Sequence, residues 1–217
     1  MAECCSRDYD LQFDDERARR DLLEYRARGP GGGTRRLIDA LLDQGISGAS
    51  LLDIGGGIGA IQLELLAAGA ARSLDVDASG PYLATAREVA EQRGLADRTA
   101  YLHGDFVELA DTVAGADVVT LDRVICCYPE LEALLGASLA RAGRLYGLVY
   151  PRDAWWVRSM LWLENLGATV FRRGFRVWAH RQLTIDRLTA EAGMELVFAH
   201  TGLVWRTALW RRREHAA

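Results

Sequence analysis

The chain has 217 residues, a formal net charge of −4 and 26% charged residues, and half of it is hydrophobic. That length fits one domain with a sizeable core, and the acidic balance excludes a general attraction to nucleic acid phosphates. No apolar run reaches the roughly 20 residues that span a bilayer, which excludes a helical membrane span.

The N-terminus, MAECCSRDYD, is polar and lacks the apolar middle of a secretory signal. The four cysteines come as two adjacent pairs, Cys4-Cys5 and Cys126-Cys127, with no CxxC spacing for zinc. The expectation is a reduced cytoplasmic protein without a metal, with Cys126 and Cys127 as small buried hydrophobes. Glu16 to Arg28 reads as a charged amphipathic helix, ended by RGPGGGT. Thr34 is placed to cap a second helix that runs through Leu42.

Short apolar runs then alternate with helical patterns. Strands are expected at Ser50–Ile54, Ser73–Asp77, Thr99–His103, Asp117–Asp122, Arg144–Tyr150 and Glu195–His200. A last run, Leu203–Trp210, is expected antiparallel at the sheet edge. Helices are expected near Ala60–Ala68, Pro81–Arg93, Pro129–Ala140, Ala154–Leu166 and Thr184–Ala192. This alternation predicts an α/β fold, a mostly parallel sheet with helices on both faces. Ligands of such sheets bind beyond the carboxyl ends of the strands, so functional residues should follow strands directly.

The stretch LLDIGGGIG ends a strand on Asp53 and then places Gly55, Gly57 and Gly59 in a turn opening a helix. Glycines there let backbone approach a ligand closely. A nicotinamide site would set its pyrophosphate at that helix N-terminus, where Asp53 repels it. A ligand with an ammonium group would instead be attracted. S-adenosylmethionine (SAM) has an ammonium, a sulfonium and no phosphate. LDVDAS ends the next strand on Asp77, 18 residues past Gly59 and near the offset for an acid on ribose hydroxyls. HGDF ends a third strand, with Asp105 as an acceptor for an adenine amino group and Phe106 offering its amide.

These motifs resemble the seven-stranded SAM-dependent methyltransferases over roughly residues 37 to 212. The resemblance implies a Rossmann-like sheet of order 3-2-1-4-5-7-6 with the last strand antiparallel. It implies cofactor contacts at Asp53, Gly55, Gly57, Gly59, Asp77, Ala78, Asp105, Phe106 and Asp122, with S-adenosylhomocysteine (SAH) as product. VVTLDRVICCYPELEALL is similar to the magnesium-protoporphyrin O-methyltransferases, where an acid is followed by His-Tyr-Pro. Here Tyr128 and Pro129 match and Cys127 stands at the histidine position.

Methyl transfer needs an acceptor held in line with the sulfonium carbon, and a base if that acceptor is a hydroxyl or ammonium. Candidates are Tyr128 to orient the acceptor, Arg123 to pair an acidic substrate, and His180 as the base. Each also has a plain reading: packing beside Pro129, an ion pair with Asp122, and a structural contact. His103 is expected to wall the cofactor, and His200 and His215 to be structural or exposed. Residues 1–36 are expected to form a helical lid, with Tyr9, Phe13, Tyr25 and Arg28 facing the acceptor, ahead of a methyltransferase domain at 37–217. A solvated, charge-stabilised helix is the other reading.

All six tryptophans follow residue 150, and DAWWVRSMLWLENLG carries a wide apolar band. Packing against the sheet is the expectation; a flat hydrophobic substrate, a partner subunit or a membrane surface would also fit. The functional expectation is methyl transfer from SAM to a small, aromatic or hydrophobic acceptor, at oxygen before nitrogen or carbon. Nucleic acid is not expected as a partner, and a homodimer is compatible. The alternatives are a nicotinamide-dependent oxidoreductase and a non-catalytic SAM-binding module.

Overall fold

A computed structural model describes residues 12–170 and 176–213. Cys4, Cys5, Tyr9 and His215 lie outside the described residues. Helix α1 (Asp15–Arg28) starts on Asp14, whose carboxylate accepts the Arg17 amide at 2.9 Å. Asp15 and Glu16 in its first turn and Arg26 and Arg28 in its last both oppose the helix dipole. Ala18, Leu22 and Tyr25 are buried, so α1 is not simply a solvated helix.

Helix α2 (Gly32–Asp43) begins two residues before the expected cap. Gly31 stands at its N-cap, and Thr34 lies in the first turn with its hydroxyl turned to the sheet. Strand β1 (Ser50–Ile54) leads to α3 (Ala60–Ala67), β2 (Arg72–Asp77), α4 (Gly80–Gln92) and β3 (Thr99–His103). A short helix that periodicity did not announce, α5 (Phe106–Leu109), follows with Asp105 as its N-cap. Then come β4 (Ala116–Asp122), α6 (Leu131–Arg141), β5 (Ala142–Pro151), α7 (Trp155–Val170), α8 (Gln182–Glu191), β6 (Met194–Thr201) and β7 (Trp205–Arg212).

The sheet order is β3-β2-β1-β4-β5-β7-β6, with β7 antiparallel to both neighbours. The last strand is therefore not at the edge. It fills the slot between β5 and β6, and Thr207 to Trp210 are buried without alternation because both faces are covered. Edge position falls to β6, whose outward residues are half-buried or exposed.

Two apolar clusters cover the two faces of the sheet. Leu37, Ile38 and Leu41 of α2 join Leu63, Leu66, Leu145 and Leu209 on one. Tyr146, Leu148, Trp210, Leu134 and Ile185 lie on the other. Each such side chain, fully buried, contributes roughly 1.5–3 kcal/mol.

The tryptophan band of α7 does not pack as expected. Among its described side chains only Val157 and Leu161 are buried, whereas Trp155 is 79% and Trp162 62% exposed. Val157 and Leu161, four residues apart, form one narrow buried stripe. Among the described residues, no helix is long and apolar enough to cross a membrane. Cys126 is buried and Cys127 half-buried.

Candidate functional site

Parallel pairing brings one lateral row of residues across five strands. Tyr101, Asp75, Asp53, Thr120 and Gly147 are register partners on β3, β2, β1, β4 and β5. Period-two alternation keeps Asp77 and Asp122, two residues further along β2 and β4, on the same face. Four carboxylates thus converge near the carboxyl ends of the three central strands.

Asp53 is 1% exposed. One carboxylate oxygen accepts the Thr120 hydroxyl at 2.6 Å, and Oδ2 is buried with no hydrogen-bond partner. Burial, and the negative charges of Asp122 and Asp77, push its carboxyl up to about 7. A buried carboxylate oxygen without a donor is costly unless a cationic group completes it.

The glycine turn is held from below by β2. Asp77 accepts the Gly57 amide at 3.0 Å and the Ser79 amide at 2.8 Å. Asp75 accepts the Gly56 amide at 3.2 Å and the Gln62 side-chain amide at 3.3 Å; Gln62 in turn accepts the Ser73 hydroxyl at 2.9 Å. These contacts explain two glycines physically. A Cβ on Gly56 would stand 2.7 Å from the Asp75 carboxylate, and Gly57 has φ +59° with Tyr82 at 3.3 Å from its Cβ position. The Gly56 and Gly57 amides point into carboxylates, so this turn does not present them to a pyrophosphate.

Phe106 is buried, and Asp105 caps α5 by accepting the Val107 amide at 2.8 Å. The Tyr128 hydroxyl donates to the same carboxylate at 3.1 Å. Tyr128 therefore stands beside the expected adenine acceptor, not alone at an acceptor pocket. Burial and Asp105 raise its phenol well above the usual range. At the tip of β4, Asp122 accepts the Thr34 hydroxyl at 2.5 Å on Oδ2 and the Arg123 Nε at 3.2 Å on Oδ1. Arg123 has φ +61°, the one positive value among described non-glycine residues. Its exposed side chain lies beyond that sharp corner, a conformation that costs of order 1–3 kcal/mol and is typical of functional turns.

His180 Nε2 lies 2.8 Å from the Ile125 carbonyl and 3.0 Å from that of Tyr128. Two acceptors require a proton on that nitrogen, so Nε2 ties the 176–181 segment to the β4 tip. The Trp178 amide bonds the Cys126 carbonyl at 2.7 Å in the same strap. His103 bonds the Ala78 carbonyl at 3.0 Å and closes the β2 corner from outside. Phe13 meets Tyr82 edge-on at 5.8 Å, and the Tyr82 hydroxyl donates to Asp21, which fastens α1 above the glycine turn.

Asp75, Gln62 and Thr120 were not among the residues the sequence singled out, and Thr34 stood there only as a helix cap. Asp75 was within reach, since LDVD alternates and places Asp75 and Asp77 on one face. Thr120, Gln62 and Thr34 meet the acids only through register and helix packing, which no local pattern carries.

S-adenosylmethionine fits these residues. Its ammonium would answer the orphan oxygen of Asp53, and an uncharged nucleoside would suit a rim of Asp77 and Asp105. Residues 52–147 match the family model described as a methyltransferase domain. No curated protein matches the sequence. Among solved structures, magnesium protoporphyrin IX methyltransferase from Synechocystis PCC 6803 with bound SAH is similar at 20% identity and TM-score 0.71, covering 97% of this chain and 100% of that one. An O-methyltransferase family 2 protein from Planctomyces limnophilus DSM 3776, in complex with apigenin, is similar at 21% identity and TM-score 0.65, over 92% of this chain and 62% of that one. Mitomycin 7-O-methyltransferase is similar at 23% identity and TM-score 0.63, over 94% and 60%. Residues 52–147 thus carry a methyltransferase domain, and the sheet order is that of the seven-stranded, SAM-dependent methyltransferase fold.

Proposed function

We propose that the protein transfers a methyl group from SAM to an oxygen of a small, apolar acceptor. The observation that carries the cofactor half is the buried, unpartnered oxygen of Asp53 at the centre of the strand tips. In this reading Asp53 holds the ammonium, while Gly55, Gly57 and Gly59 let the backbone approach. Asp77 and Ala78 line the ribose, and Asp105 and Phe106 the adenine. Asp122 braces the β4 tip from below. Residues 1–36 contribute α1 as a cover, anchored through Tyr82. SAM supplies an activated methyl carbon, so the protein's task is alignment and exclusion of water.

The acceptor half rests on three supports. Two similar solved structures are O-methyltransferases by name. The α7 face presents Trp155, Trp162 and Leu163. The candidate base and orienter are engaged, with a proton on His180 Nε2 and the Tyr128 hydroxyl on Asp105. An acceptor that needs little help losing a proton, a carboxylate or an acidic phenol, suits such a site, and Arg123 is the cation to orient it. The net charge of −4 gives no general pull on nucleic acid.

The test is transfer of labelled methyl from SAM to a panel of flat aromatic carboxylates, phenols and amines. Label is expected in esters or ethers. Label confined to amines, or none above background with folded protein, rejects the oxygen acceptor.

A further inference from the structure

Asp53 and Asp75 are register partners on neighbouring parallel strands, so their carboxylates lie side by side on one face of the sheet. They are 1% and 0% exposed. Asp53 has one hydroxyl donor and an orphan oxygen, and Asp75 has two amide donors at 3.2 and 3.3 Å.

Among the described residues, the charged groups that face the pair are acidic: Asp77 on β2 and Asp122 on β4. The cation at the β4 tip, Arg123, is bonded to Asp122. α3 offers the neutral Gln62. β3 offers Tyr101, whose hydroxyl donates to the Ala86 carbonyl, and His103, bonded to Ala78. α4 offers Tyr82, bonded to Asp21 of α1. Adjacent buried carboxylates with no cation between them do not both ionise cheaply.

We propose that the Asp53–Asp75 pair carries one proton in the ligand-free protein and releases it to water as the cofactor's ammonium docks. The inference rests on the reading of Asp53 as the ammonium's partner. On binding, an N–H of the ammonium takes the place of the proton at the orphan oxygen, and the local charge stays balanced. Burial and like charge raise Asp75 well above the ordinary range and bring Asp53 to about 7, so the doubly charged pair is disfavoured and Asp53 gives up its proton near neutrality. The cofactor selects the deprotonated pair. Its affinity therefore rises about tenfold per pH unit on the acid side and levels off above neutrality.

Calorimetric titration with SAH from about pH 5.5 to 7.5, in two buffers of different ionisation enthalpy, tests this. That range keeps the ligand's own α-amino group charged, since such groups titrate at about 7.7–8.0 or above. Proton release approaching one per ligand at the acid end, with the tenfold slope, is expected. Flat affinity with equal heats in both buffers overturns the inference. Asp53→Asn is expected to bind more weakly and to lose the slope; a variant that keeps the full slope also overturns it. A variant that binds SAH as tightly as the parent chain would sink the ammonium reading itself, which separates the two failures. If Asp53→Asn does not fold, the two-buffer comparison on the unaltered protein decides.

Discussion

Asp77 shows how much a single carboxylate does here. It accepts the amides of Gly57 and Ser79, so it shapes the glycine turn and the start of α4 while facing the expected ribose. Asp77→Ala removes both roles. SAH binding should weaken by about 1–3 kcal/mol, the scale of a lost charge-assisted hydrogen bond. Unchanged affinity by calorimetry, in a variant folded by circular dichroism, would refute the ribose assignment. Asp53 and Asp77 stood out in the sequence because each ends a strand just before glycine or a helix cap. Asp75 did not, because its role is to receive Gly56 from behind, and that contact exists only once β1 and β2 pair.

Elements differ in how firmly they are held. α7 buries Val157 and Leu161 and leaves Trp155 and Trp162 largely in solvent. Leu161→Ala should cost about 2–5 kcal/mol, because it removes half of that stripe and leaves a cavity. Trp162→Ser should change stability by less than about 0.5 kcal/mol, as surface changes do. Urea unfolding of the two variants measures the difference, and a large loss in Trp162→Ser would mean that the face is covered in solution. The helix was legible as a helix, but its orientation was not. A band apolar over two adjacent stripes gives no preference for which stripe is buried. Thr34 makes the same point for α2. A threonine ahead of an apolar run reads as a cap, but here its hydroxyl is taken by Asp122, and Gly31 occupies the cap position.

At the scale of the whole molecule, cofactor binding should register as global stability. A ligand at about 100 times its dissociation constant adds about 2.7 kcal/mol. For a chain of this size each kcal/mol moves the melting temperature by about 2–4 °C, so saturating SAH should raise it by roughly 5–10 °C. Scanning calorimetry with and without SAH reads that shift, and no shift at saturation would contradict binding to the folded state. From residues alone came the alternation of strands and helices, the three acid-bearing strand ends and the glycine turn, because each is a local pattern of period, charge or missing side chain. The sheet order was supplied by resemblance and not by periodicity. Tertiary structure alone decided that α7 turns its tryptophans outward, and that Tyr128 and His180 are tied to Asp105 and to backbone carbonyls. It also set Asp53 beside Asp75 with no cation between them among the described residues. Such facts depend on which distant segments pair and in what register, and a free energy shared between segments far apart in the chain leaves no mark on either one alone.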